Sequence, residues 1–247
     1  MKKITLTLTL FLVAILSMCS DCLAVTRSIN VGSFTSLKVV DDLNVVFSTS
    51  VDSVNCVQFD DKDIYSSAIM VAYEKESLEI QVAPEYAEKT DLPTVYVYGQ
   101  NLKFVSNEGD SIVRVISPIR GENFRARTWA NGKIIVNDVD VTKAEAQIST
   151  GKGMIVMVGK AETASYSCTG SGEIQADKLL VPGKVQCRFV GTGTIGCNVS
   201  GELVVRGSGT GKVYYCGHPT SVSKKTLGPI KAISLDEDAT TTTASGK

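Results

Sequence analysis

Apolar and polar positions along this chain alternate in short runs, and in its second half the runs return with a period near twenty. Five segments align: Ala130-Asn131-Gly132-Lys133-Ile134, Gly151-Lys152-Gly153-Met154-Ile155, Gly170-Ser171-Gly172-Glu173-Ile174, Gly191-Thr192-Gly193-Thr194-Ile195 and Gly209-Thr210-Gly211-Lys212-Val213. Their second glycines stand at positions 132, 153, 172, 193 and 211. Each segment is a tight turn followed at once by an aliphatic residue. The stretches between the turns (134–141, 154–158, 184–190 and 202–206) are rich in β-branched residues and alternate, which predicts half-buried strands. Only 142–147 tolerates a helix, and it is too short to be stable alone. A fixed period of about twenty predicts a solenoid. Short strands stacked coil on coil at ~4.8 Å make a parallel β-helix, and five coils would rise about 24 Å.

The first half is β-rich but less regular. Strands are predicted over 36–40, 43–47, 53–59, 68–73, 78–82, 95–98 and 102–105, with acidic turns at Asp41-Asp42, Asp60-Asp61-Lys62-Asp63 and 74–77. The best loop candidate is 83–93, with prolines at 84 and 93. No composition break marks a linker. One continuous domain over 25–235 is expected, with an irregular section over about 30–105 capping the first coil and glycine-turn repeats over about 106–217. An end cap matters because an open sheet edge invites further pairing. The tail over 236–247 is acidic, then Thr-rich, and is predicted to be disordered.

The N-terminus has a different pattern. Lys2-Lys3 precedes an uncharged, largely apolar run over 4–20, the arrangement of a secretion signal. Cleavage after Ala24 is expected, so that 1–24 is the signal peptide. Two alternatives remain open at this stage: lipidation of Cys19, although Met18 stands where a smaller residue is usual, and an uncleaved anchor. In each case the chain is exported, to the periplasm, the outer membrane surface or the extracellular space. No later run approaches the ~18 apolar residues of a spanning helix.

Cysteine usage follows from export. Seven cysteines become five after cleavage: Cys56, Cys168, Cys187, Cys197 and Cys216. The interval from Cys168 to Cys187 equals that from Cys197 to Cys216, and both are close to one period. Each pair is therefore expected to stack as neighbouring rungs, either as small core residues or as a disulfide. The Cys19-Ser20-Asp21-Cys22 spacing falls within the signal.

Composition narrows the chemistry. The 25 Lys and Arg are matched by 26 Asp and Glu, and a net charge of -1 gives no basis for nucleic-acid binding. A single histidine, His218, excludes a multi-histidine metal site within one chain and a triad drawn from several histidines. Next to Pro219 it reads as a turn. Asp60, Asp61 and Asp63 lack the glycine and distal glutamate of a Ca²⁺ loop. A polysaccharide lyase or hydrolase would need carboxylates gathered on one face. Asp138 and Asp140 share a strand face, whereas Glu173, Asp177, Lys178, Arg188 and Arg206 lie one or more coils later. No catalytic residue, metal ligand or cofactor is assigned. The one binding candidate is a basic stretch around Trp129, within which Arg120, Arg125 and Arg127 (with Arg114 upstream) offer bidentate and stacking contacts to an acidic glycan.

Several of these segments together resemble a known family. The opening Phe34-Thr35-Ser36-Leu37-Lys38-Val39, followed by Leu43-Asn44-Val45-Val46-Phe47, resembles the start of head GIN domain proteins, which are exported proteins common in Bacteroidetes and described as auto-transporter adhesins. The Gly-x-Gly turns at 170–172, 191–193 and 209–211 are similar to that family's repeats. The run from Gly211 to Pro219 with Lys224 resembles its ending. The likeness covers roughly 30–232, and departs from the pattern at Glu108-Gly109-Asp110 and Asn131-Gly132. It implies a right-handed β-helix similar to pectin-lyase-like folds, a role in adhesion and no catalytic residues. The expected function is therefore a non-catalytic surface or periplasmic protein contacting a glycan or another host or bacterial surface ligand. It has no nucleic-acid partner, and it meets a membrane only through a lipidated Cys19 or a retained signal. Two other readings stay open: a self-associating envelope protein that oligomerises through stacked coil ends, and a lyase-like polysaccharide enzyme.

Overall fold

A computed structural model describes residues 26–49, 55–60, 67–89 and 91–236. The signal expected over 1–24 and the tail from 237 onward lie outside the described residues. Of those described, 67% are strand, and the nineteen strands form one sheet curled into a solenoid of about seven turns. No α-helix occurs among them. Parallel bridges join residues about 20 apart, as the glycine period predicts.

The aliphatic residue after each glycine turn builds the core. Val113, Ile134, Ile155, Ile174, Ile195 and Val213 are neighbours on successive rungs and are fully buried. On the opposite wall Val105, Ala126, Ala146, Tyr166, Cys187 and Val205 form a second buried column. Each fully buried Ile or Val stabilises the fold by roughly 1.5–3 kcal/mol relative to exposure. Strands β10 (Ile119–Thr128), β11 (Lys133–Ile148) and β12 (Met154–Gly170) run around much of a coil, and breaks in register mark bends after Val136 and Val156. The helix-tolerant stretch 142–147 lies inside β11, because its alternating small residues Ala144 and Ala146 fit the core column.

The later coils use shorter strands. One wall carries β14 (Lys184–Gly191), β16 (Glu202–Gly209) and β18 (Ser221–Leu227). Another carries β13 (Glu173–Val181), β15 (Thr194–Val199), β17 (Lys212–Cys216) and β19 (Lys231–Ser234). On the last rung Lys224 takes the core-column position beside Val205 and is exposed. A charge at that point discourages addition of another rung.

The N-terminal section is more ordered in space than its sequence pattern. Strand β2 (Ser36–Val39) lies between β6 (Ser77–Val82) and β8 (Phe104–Asn107), parallel to both. Likewise β3 (Val45–Thr49) lies between β7 (Val95–Gly99) and β9 (Ile112–Val115). The first coil in sequence is thus the second in space. Its partners come from much later in the chain: Leu37 pairs with Leu78 and Val105, and Val45 with Val95 and Val113. Antiparallel strands close this end: β1 (Thr26–Asn30) pairs with β4 (Cys56–Asp60), which pairs with β7, and β5 (Ile69–Glu74) pairs with β6. The expected loop over 83–93 contains one 3-10 turn, Pro84–Tyr86.

Where the Gly-x-Gly pattern is lost, side chains replace glycine backbone at the corner. Asp110 N–H donates to Asp42 Oδ1 at 2.6 Å, Asn131 N–H and Nδ2 donate to the Asp110 carboxylate, and Lys152 N–H donates to Asn131 Oδ1 at 3.1 Å. In later coils the equivalent N–H groups of Ser171, Thr192 and Thr210 donate to the carbonyls of Gly151, Gly170 and Gly191.

The cysteine pairs do not stack as the spacing suggested. Cys168 lies beside Phe189, and Cys187 beside Tyr166. Cys197 lies beside Tyr215, and Cys216 beside Asn198. The coil that joins Cys168 to Phe189 is longer than the cysteine interval, and the coil that joins Asn198 to Cys216 is shorter, so the register is missed both times. All five are free thiols, four of them buried.

Candidate binding face

Alternation along β8, β10, the second halves of β11 and β12, β14, β16 and β18 turns every other side chain toward one wall of the solenoid, where all but Ser106 of β8 and Val204 of β16, which are buried, reach the surface. Register aligns these side chains into columns along the axis. The central column reads Arg127, Gln147, Ser167, Arg188, Arg206 and Lys225. On one side lie Arg125, Glu145, Ser165, Gln186, Val204 and Ser223. On the other side Thr169, Val190, Ser208 and Leu227 follow in register, with Trp129 just past the end of β10. The stretch from Arg127 to Lys225 spans about 24 Å at ~4.8 Å per rung. It is a long wall of hydroxyl, amide and guanidinium groups rather than a pocket.

The structure brings three of the four predicted site residues together. Arg125, Arg127 and Trp129 alternate on the outer side of one rung. The Arg127 guanidinium lies between two aromatic rings, 5.2 Å from the Phe104 centroid and 5.1 Å from that of Trp129, and 3.8 Å from Glu108. Both arrangements are cation–π contacts. Trp129 remains 44% exposed, so one part of its ring is available to a ligand. Arg125 bonds Gln147 and lies 3.7 Å from Glu145. Arg120 is not part of this group. It sits on another segment of the coil, where it donates to both carboxylate oxygens of Asp138 (3.1 and 2.7 Å) and lies 3.8 Å from Asp140. Lys160 then lies 3.3 Å from Asp140. The Arg120 hydrogen bond holds the Asp138 carboxyl below the usual carboxylate range. Arg114 lies outward on β9, on the wall that carries β3.

The carboxylates considered for lyase chemistry are dispersed. Asp138 and Asp140 are occupied by Arg120 and Lys160. Glu173, Asp177 and Lys178 instead line a shallow groove of about 460 Å³ on the β13–β15–β17 wall, with Gln175, Gly196 and Tyr214. Among the described residues, no three His, Cys, Asp or Glu side chains are placed to hold a metal ion, and no helix is long and apolar enough to cross a membrane. His218 is at a turn with φ 54°, 3.8 Å from Asp236.

Comparison with known proteins places this arrangement. The family described as "Putative auto-transporter adhesin, head GIN domain" matches residues 33–219. A "putative adhesin" from Bacteroides fragilis has a similar structure, with TM-score 0.75 and 20% identity over 85% of this chain and 96% of its own. A "putative adhesin" from Parabacteroides merdae superposes with TM-score 0.65 and 22% identity, over 85% and 95% of the two chains. A "putative lipid binding protein" from Parabacteroides distasonis does so with TM-score 0.62 and 18% identity, over 85% and 96%. At these identities the three structures show the shared fold. No curated protein matches the sequence.

Proposed function

The chain belongs to the head GIN domain family, and we propose that it works as an exported, non-catalytic adhesin that contacts glycans through the wall of β8, β10, β11, β12, β14, β16 and β18. The observation that carries this reading is the composition of that wall. Its outward positions are mainly Ser, Thr, Gln and Arg in axial columns, with the exposed ring of Trp129 at one end. Hydroxyl and amide groups match sugar hydroxyls, and an aromatic ring offers a flat apolar surface for a sugar face. Arg125, Arg127 and Trp129 are the first contact group, with Arg120 beyond their reach on the neighbouring segment.

The dispersal of the carboxylates supports binding over bond cleavage, since catalysis needs groups that converge on one reacting atom. The exposed Lys224 in the core column and the antiparallel strands at the opposite end both argue against self-assembly through stacked coil ends.

The test is equilibrium binding of the chain from residue 25 to a panel of polysaccharides and mucins. Saturable binding without product formation, weakened by Trp129→Ala, is the expected result. Release of unsaturated or reducing sugar ends would replace this reading with the lyase-like one. Concentration-dependent sedimentation without glycan binding would favour the self-associating one.

A further inference from the structure

We propose that the C-terminal half of this wall is a track for an acidic polysaccharide, engaged by the three stacked cations Arg188, Arg206 and Lys225. The inference rests on the wall being a glycan-contact surface and adds the charge class of the glycan.

The three residues are direct neighbours on successive rungs of β14, β16 and β18, and all are exposed. Like charges placed directly opposite across strands oppose folding. Elsewhere most cations on neighbouring rungs are paired with carboxylates: Lys38 with Glu79 and Glu108, Arg125 with Glu145, Lys160 with Asp140, and Lys184 with Glu202; the other directly stacked like charges, Lys212 and Lys231, end on the edge strand β19. Among the described residues, none of the three stacked cations has a carboxylate partner. Protection of a sheet edge by lysine accounts for Lys225, because β18 is an edge strand. It does not account for Arg188 and Arg206, whose strands are paired on both sides. A run of uncompensated charge retained inside a sheet is what an anionic ligand would compensate.

The spacing selects the kind of anion. Adjacent cations repeat every ~4.8 Å along the axis and the outer two are about 10 Å apart, twice the rung spacing. A linear polymer with an acidic group on every sugar can lie along the axis and meet all three, and one with an acidic group on every second sugar can meet the outer two. Guanidinium groups bind carboxylate or sulfate bidentately. The flanks suit sugars as well. Gln186, Ser208 and Ser223 can bond hydroxyls, while Val190 (52% exposed) and Leu227 (79% exposed) can cover the C–H faces of the rings. A nucleic-acid duplex fits less well, since the track is one residue wide on a chain of net charge -1.

The experiment titrates the chain from residue 25 with polygalacturonate, dextran sulfate, neutral dextran and duplex DNA at one ionic strength. Two charge-matched triple variants are compared with it: Arg188→Gln/Arg206→Gln/Lys225→Gln, and Lys103→Gln/Lys133→Gln/Lys152→Gln off the track. At least one acidic polysaccharide should bind, with affinity falling on the order of tenfold for each arginine lost, the scale of one charge-assisted hydrogen bond. The off-track variant should bind like the original chain. Thermal unfolding serves as the folding control, and the track variant should melt no lower than the parent because it loses only repulsion. Equal binding by the track variant overturns the inference, as does equal or tighter binding of DNA by the original chain. Glycan binding confined to neutral polymers also overturns it, and leaves the contact-surface reading standing. Binding to no polysaccharide or mucin removes both.

Discussion

Gly209 stacks directly on Gly191, and a Cβ added to Gly209 would lie 2.0 Å from the Gly191 carbonyl oxygen. The backbone there has φ +119°, a region that side chains disfavour. The repeated corner therefore requires glycine both for its backbone angle and for the closeness of the coil beneath. Gly196 is different. It has no positive φ, and its nearest contact would be 3.8 Å away. Gly209→Ala should lower stability by about 2 kcal/mol or more, the scale of backbone strain combined with forced displacement. Gly196→Ala should stay within about 0.5 kcal/mol. Urea unfolding of the two variants side by side checks the contrast, and equal losses would show that the corner is not tightly packed.

Tyr166 and Cys187 pack beside one another in the core, and the Tyr166 hydroxyl is fully buried without a hydrogen-bond partner. Burial, reinforced by the neighbouring Cys197 and Cys187, raises its ionisation well above the usual tyrosine range. A buried hydroxyl without a partner costs roughly 1–3 kcal/mol. Tyr166→Phe keeps the ring and removes that cost, so its Tm should equal or exceed that of the original chain. A Tm several degrees lower would mean that the hydroxyl is satisfied in solution.

The core columns explain why part of this fold can be read from sequence. Ile134, Ile155, Ile174, Ile195 and Val213 follow their glycines at a constant offset, so the repeat itself reveals the inner ladder. Fine register does not survive the same reasoning. Coils of unequal length, one longer and one shorter than the cysteine interval, moved Cys168 and Cys216 away from their expected partners while leaving the mean period unchanged. The Asp42–Asp110–Asn131 corner was hidden because a carboxylate or amide does there what a glycine carbonyl does later. Its only signal was an Asp or Asn aligned with the turn positions. The interleaving of β2 and β3 had no local signal, since both partners of each strand lie several elements later in the chain. At the candidate site, adjacency in sequence along β10 and just past its end placed Arg125, Arg127 and Trp129 together. The column joining Arg188, Arg206 and Lys225 depends on register across three coils and emerges only from the fold.

The thiols give a pH dependence with a definite sign. Burial pushes Cys168 up to about 11 and raises Cys216 above the ordinary thiol value, while Cys187 is raised first by its hydrogen bond with Cys197 and then by burial. An acid whose folded pKa is raised releases its proton more readily when unfolded. Stability is thus fully present below the unfolded thiol pKa of about 8.5, and falls as pH rises past it towards the folded value. Denaturant midpoints should be flat from pH 6 to 8 and decline between about 9 and 11. Replacing Cys168 by Ala, although it also costs packing, should flatten that decline. At pH 7.5 the four buried thiols should resist alkylation until the chain is unfolded. Rapid labelling of Cys168 or Cys187 in native buffer would contradict their burial.

Leu37 tests the interleaved coil. It is fully buried on β2, between Leu78 of β6 and Val105 of β8. Leu37→Ala should cost about 2–5 kcal/mol, the range for a leucine removed from a packed core. In a solenoid each coil contacts only its neighbours, so the loss should remain local. Hydrogen exchange should therefore accelerate in β2, β6 and β8 while Ile195 and Val213, several rungs away, keep their protection. The interleaving adds a further expectation. Because β2 acquires its partners from β6 and β8, far later in the chain, its contacts carry a larger loop-closure cost than those of successive repeats, and they should form late. Leu37→Ala should then accelerate unfolding and leave the refolding rate nearly unchanged. Ile174→Ala, in the regular coils, should slow refolding. If both variants slowed refolding equally, the N-terminal coil would be forming with the repeats rather than after them.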